Sequence, residues 1–145
     1  MREIKFRAWH EEKKKMFEIA KVDLWGDPDQ TTCDLVNEDD EQLFDVYLHE
    51  VTLMQFTGLY DKNGKEIYEG DILTTDIKRP YLIVEFRDGS FMFNCNDGGK
   101  DYYDIMLPIL KEPQYTYKYG EVIGNIFDNP ELLESEEWYE VNYKS

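Results

Sequence analysis

A chain of 145 residues makes one domain, or one domain with an appended arm, and buries roughly two-thirds of its unfolded surface without a covalent staple. Hydrophobic residues at 41% and aromatics at 15% exclude a disordered polyelectrolyte despite a formal net charge of −16. No apolar run is long enough to span a bilayer, and charges interrupt residues 2–15 where a secretion signal would lie, so a soluble cytoplasmic protein is expected.

Residues 1–9 alternate, with Ile4, Phe6 and Ala8 on one face and Glu3, Lys5, Arg7 and Trp9 on the other, the period of a half-buried strand. Residues 10–15 are polar and turn the chain. Residues 17–24 alternate less cleanly, and the whole reads as an N-terminal hairpin over 1–25. Lys13-Lys14-Lys15 reads as a solvated turn, too small for a nucleic-acid footprint. Residues 26–43 hold Gly26, Asp27-Pro28-Asp29 and Asn37-Glu38-Asp39-Asp40-Glu41; breakers and like charges predict a long acidic loop with room for one short helical turn. Residues 44–49 and 51–56 are strand candidates, opening a barrel-like body that extends to residue 127.

Within that body, Asp61-Lys62-Asn63-Gly64 is a turn between two apolar runs. Asp61 can bond turn amides and Gly64 accepts a positive φ. A type I turn with a bulge at Gly64 is the first reading; a two-residue turn on Asn63-Gly64, with a different register, is the alternative. Glu69-Gly70-Asp71 bends the chain again before a strand from Ile72. A turn at Lys78-Arg79-Pro80 leads to a strand over 81–87, with Leu82, Val84 and Phe86 inward. Asp88-Gly89 signals a hairpin, and Phe91, Phe93 and Cys95 share one face of the returning strand. Asn96-Asp97-Gly98-Gly99 ends it. Residues 105–110 are apolar around Pro108, which demotes them to an edge strand or irregular segment. The last strand spans 122–127, where Gly124 predicts a bulge or a close backbone approach. Asn129 as N-cap and Pro130 at the first helical position predict a short helix, with a tail over 134–145 carrying Trp138, Tyr139, Val141 and Tyr143. Short strands with regular turns give an all-β fold, a small barrel or sandwich.

Charge is segregated along this framework. Between Val22 and Glu50 there are ten acids (Asp23, Asp27, Asp29, Asp34, Glu38, Asp39, Asp40, Glu41, Asp45, Glu50) and no Lys or Arg. Between Glu121 and Ser145 there are seven acids and one base, Lys144, while the remainder holds fifteen of each sign. A field of this sign repels nucleic acid and anionic lipid and attracts basic surfaces.

Candidate chemistry is sparse. Cys33 and Cys95 are far apart without a Cys-x-x-Cys pair and read as two reduced thiols. His10 and His49, each beside a glutamate (Glu11, Glu50), lack a Ser or Cys in a recognisable elbow and read as surface or rim residues. Asp97-Gly98-Gly99-Lys100-Asp101 and Asp101-Tyr102-Tyr103-Asp104 lack the alternating oxygens and closing Glu of a calcium loop, and nothing has zinc spacing. No glycine pattern cradles a phosphate. Glu69 and Asp71 fall on a bend, where Asp71 bonds turn amides rather than serving acid–base work. No catalytic, cofactor or metal residues are assigned. Trp25, Trp138, Tyr139 and Tyr143 lie in or beside the acidic segments and suit either a protein interface or cover for a thin core.

Thr57-Gly58-Leu59, Asp61-Lys62-Asn63-Gly64-Lys65 and Ile67-Tyr68-Glu69-Gly70-Asp71-Ile72 together resemble the signature of the YopX family of phage and prophage proteins. So do the opening Arg2-Glu3-Ile4-Lys5-Phe6-Arg7-Ala8-Trp9, the late Glu121-Val122-Ile123-Gly124-Asn125-Ile126, and Asn129-Pro130-Glu131-Leu132-Leu133. His10 departs from the pattern, which opens the first turn with Asp. The resemblance implies a phage accessory protein with a small SH3-like barrel, no known activity and a tendency to homo-oligomers. The expectation is therefore a non-enzymatic interaction module without cofactor, binding a host or phage protein through its acidic surface or associating with itself. Two alternatives stay open: an acidic mimic of DNA that occupies a host DNA-binding protein, and a nucleic-acid-binding barrel using Lys62, Lys65, Lys78, Arg79 and Arg87 against the opposing net charge.

Overall fold

The computed structural model describes residues 3–75, 81–97, 100–105, 109–111, 114–116 and 120–133. The fold is all-β: β1 (Phe6–His10), β2 (Lys15–Asp23), β3 (Thr32–Val36), β4 (Gln42–Tyr47), β5 (Val51–Tyr60), β6 (Glu66–Tyr68), β7 (Asp71–Thr75), β8 (Leu82–Arg87), β9 (Ser90–Asp97), β10 (Lys100–Ile105), β11 (Ile109–Lys111), β12 (Gln114–Thr116) and β13 (Gly120–Asn125). Two compact units divide the chain, Met1–Phe56 and Thr57–Ser145, and the boundary falls inside β5.

In the first unit the strands follow the order β5-β1-β2-β3-β4, all antiparallel. The N-terminal hairpin is present, pairing Arg7↔Glu18 through His10↔Lys15. Its first strand departs from simple alternation. Ile4 stays 68% exposed outside β1, while Ala8, Trp9 and His10 in succession are all buried. Alternation marks a strand with one wet face, and the end of β1 has none. The long acidic loop over 26–43 is a second correction. A 3-10 turn at Pro28–Gln30 leads straight into β3, whose Cys33 and Leu35 sit in the core, and β4 returns from Gln42. Like charges do not forbid a strand when apolar and acidic side chains alternate to opposite faces. The core joins Ala8, Phe17, Cys33, Leu35, Val46 and Val51. Between Leu43 and Val46, which both pack on this core or belong to it, Phe44 and Asp45 oppose the single residue Asp34 as a bulge. Asp45 takes φ 54° there, and its amide donates to Asp34 Oδ1 at 3.0 Å.

In the second unit a five-stranded antiparallel sheet runs β10-β9-β8-β7-β13. The end of β5 pairs β6 and meets β12 in parallel at Tyr60↔Thr116. Ile67, Leu73, Val84, Phe93 and Val122 form the core. The turn after β5 takes the first of its two readings. Gly64 N donates to the Asp61 carbonyl at 3.0 Å, Asp61 N donates to the Lys65 carbonyl at 2.7 Å, and Gly64 has φ 82°. Asp88 and Gly89, with φ 52° and 81°, close β8 onto β9 in the two-residue turn whose central residues both need positive φ. Phe86 beside that turn is half-exposed, against Phe91.

Two further expectations change, and one unassigned segment gains a strand. The small barrel is not closed among the described residues: β10 and β13 are the two ends of the strand path, and closure requires the first and last strands to pair. Residues 100–105, to which the sequence assigned no element, form β10 against β9. The helix after Asn129 is a single 3-10 turn, Pro130–Leu132, because the Asn129 side chain accepts the Asn125 amide at 3.1 Å instead of capping the turn. Gly124 meets the first of its two expectations, since the β13 register shifts between Val122 and Gly124. The close approach there is to a side chain rather than to backbone: a Cβ would lie 2.7 Å from Asn129 Cγ. Lys78-Arg79-Pro80, Gly98-Gly99, Pro108 and the tail from residue 134 lie outside the described residues.

Candidate interaction surface

The polar side chains of the central signature, Thr57, Asp61 and Asp71, hold the backbone in place. Asp61 is 1% exposed, and its carboxylate accepts three amides: Asn63 N and Lys65 N on Oδ1, Val122 N on Oδ2, each at 2.9 Å. The last of these ties the turn to β13 across 61 positions of sequence. Beside it, Lys62 N donates to the Gly120 carbonyl at 3.0 Å. Thr57 Oγ1 donates to the Ile67 carbonyl at 2.8 Å and accepts the Leu59 amide, while Gly58 takes φ 85°. Asp71, also buried, accepts the Tyr68 amide at 2.8 Å across the bend in which Gly70 has φ 83°. These groups are spent on architecture, as the reading of Asp71 anticipated.

The titratable candidates are scattered in local roles. His10 is 6% exposed rather than a rim residue: its Nδ1 accepts the Lys13 amide at 3.1 Å, and its ring meets Phe17 edge-on. It closes the first turn from inside. His49 is exposed as expected, in a 3-10 turn at Leu48–Glu50, its ring stacked on Tyr47 at 5.3 Å. Both cysteines are free thiols. Burial, with Asp34 and Glu50 nearby, pushes the Cys33 thiol up to about 11, so it is inert at neutral pH. In the second unit Glu85 Oε2 and Asn94 Oδ1, on adjacent strands, are buried without a hydrogen-bond partner. Among the described residues no group of three or more His, Cys, Asp or Glu is placed to hold a metal ion. None of the described helices is long and apolar enough to cross a membrane.

What remains is the surface of the first unit. At the tip of the β3–β4 hairpin, Asn37 Oδ1 accepts the amides of Asp39 and Glu41, presenting Glu38, Asp39 and Asp40 to solvent. Lys15 and Lys13 reach Glu41 at 3.1 and 3.2 Å and lower its carboxyl below the usual range through those hydrogen bonds. Asp27, Asp29, Glu38, Asp39, Asp40 and Asp45 have no cation partner among the described residues. Trp25 is 89% exposed, its amide held by Asp23 Oδ1, and Phe44 and Tyr47 on β4 also face solvent.

A profile of the YopX family, described as YopX protein, matches residues 5–134. The chain belongs to the YopX family. Among solved structures this YopX chain is similar to the crystal structure of protein EF1440 from Enterococcus faecalis, with 27% identity and a TM-score of 0.52, covering 92% of this chain and 100% of that one. A search of curated proteins found no match.

For a YopX chain the split between signature and surface matters. The signature blocks fix turns and close approaches, whereas Glu38, Asp39, Asp40, Trp25 and Phe44 of the first unit present their side chains to solvent. Sequence patterning found Trp25 and the acids but missed Phe44 and Tyr47, which read as ordinary strand apolars. The bulge opposite Asp34 lets Leu43 and Val46 both face the core with Phe44 outward between them, and no local signal announces it. Trp138, Tyr139 and Tyr143 lie outside the described residues.

Proposed function

We propose that this YopX protein is a non-enzymatic phage or prophage accessory protein that acts in the bacterial cytoplasm by binding a basic protein through the acidic surface of its first unit. The observation that carries the reading is the base-free stretch between Val22 and Glu50. It folds into paired strands and short turns while most of its ten carboxylates stay outward and Trp25 stands free. Ordered, unneutralised carboxylates attract basic surfaces and raise association rates, with a strength that salt reduces. The family match spans both units, which supports treating them as parts of one module. For the second unit, the return of β13 to β7, the first strand of the β7-β8-β9-β10 meander, supports an SH3-like strand order.

The test is affinity capture from bacterial lysate with the natural chain and with a variant in which Glu38, Asp39 and Asp40 are replaced by Gln, Asn and Asn. A partner held at about 50 mM salt, released at about 500 mM and lost with the variant is the expected result. Equal capture by both chains at both salts would overturn the reading. Displacement of the same partner by double-stranded DNA would identify the sharper form, in which carboxylates stand in for backbone phosphates.

A further inference from the structure

Resting on that reading, we infer that the outward face of β2, β3 and β4 docks an extended basic segment of the partner, with Phe44, Tyr47 and Trp25 as anchors. The register places these groups. Val22, Cys33 and Val46 form a row across the three strands that packs on the core, so the adjacent row, Asp23, Thr32 and Tyr47, points the other way. The bulge sends Phe44 to the same outward side, 68% exposed, between the core-facing Leu43 and Val46. Trp25 follows β2 by two residues, tied back to Asp23 by a 3.0 Å hydrogen bond. Single exposed apolar side chains are ordinary, but two outward aromatics along β4 with Trp25 exposed just beyond the end of β2 mark a contact surface.

Charge decides the occupant. Asp23, Asp27 and Asp29 flank Trp25 in sequence, and Lys21, which pairs with Asp34 on the same outward face, is a single base among these carboxylates. A second copy of the chain would bring like carboxylates together, and a nucleic acid would bring phosphates; both are repelled. An Arg- or Lys-bearing strand or loop satisfies the face, its cations pairing with the carboxylates and stacking on the indole and phenol rings. The partner lies on the face rather than extending the sheet. The free edge of β4 is broken by the bulge, and Asp45 there has φ 54°, which interrupts any added ladder.

The probe is a fluorescein-labelled peptide of alternating arginine and leucine, followed by anisotropy on the full chain. Binding at about 50 mM NaCl should weaken at least tenfold at about 500 mM, and Asp27→Asn with Asp29→Asn should flatten that salt dependence. Phe44→Ala and Trp25→Ala should each weaken binding about fivefold or more with an unchanged circular dichroism spectrum, and Phe44→Tyr and Trp25→Phe should restore most of it. Binding that ignores both alanine variants overturns this inference but leaves the acidic-surface reading standing. Equal binding of a peptide alternating glutamate and leucine also overturns it, since charge would then play no part. No binding at low salt removes the inference and the proposed function together.

Discussion

Asp61 carries an ionisable group in the interior, without an ion pair among the described residues and held by three backbone amides. Deleting the acceptor strands those donors, the costly direction of losing a hydrogen bond, so Asp61→Ala should lose about 3 kcal/mol and Asp61→Asn roughly half as much, read from urea midpoints. Asn94 is the opposite case. Its Oδ1 is buried and already unpartnered, so Asn94→Leu should be neutral or stabilising within about 1 kcal/mol. Cys33 adds a pH dependence of defined sign. Its thiol is raised in the folded chain, so folding holds the proton more tightly than the unfolded state does. Stability should be independent of this group below the ordinary thiol range and fall as pH rises from about 9 toward about 11. Cys33→Val should abolish that fall in thermal melts across the same range.

Local chemistry wrote some elements plainly. Asp61, Asn63 and Gly64 announced their turn, Asp88-Gly89 its hairpin, and Gly124 its bulge, because each needs a particular backbone conformation or the absence of a Cβ. The β3 strand was hidden by its company. Thr32, Cys33, Asp34, Leu35 and Val36 alternate, yet acids and breakers on both sides outweighed five residues of pattern. The Phe44–Asp45 bulge was not legible at all, because its cause, the Asp34 carboxylate accepting the Asp45 amide, lies on another strand. The outward place of Phe44 was therefore beyond reach of sequence, while Trp25 and the acids were not. Asp34→Ala should cost about 1 kcal/mol and speed exchange of the Asp45 amide, with the β1–β2 hairpin amides unchanged. An unaltered Asp45 exchange rate would show that the bulge stands without its carboxylate.

Across the whole molecule, 32 acids face 16 bases, and the excess is concentrated rather than spread. Self-repulsion of this kind destabilises the compact state and is relieved by screening, so NaCl should raise the melting temperature progressively up to several hundred millimolar. A chelating site would behave differently. A ligand that binds only the folded chain stabilises it in proportion to the logarithm of its concentration above Kd, giving a strong response at low millimolar calcium or magnesium. Among the described residues no three of the His, Cys, Asp or Glu side chains are placed to share one ion, and the tip acids Glu38, Asp39 and Asp40 stand in solvent. At matched ionic strength, then, calcium should add only the modest extra shift of a more strongly condensing cation. A saturable rise with calcium, abolished by neutralising Glu38 to Asp40, would turn the acidic surface from a docking field into a metal site.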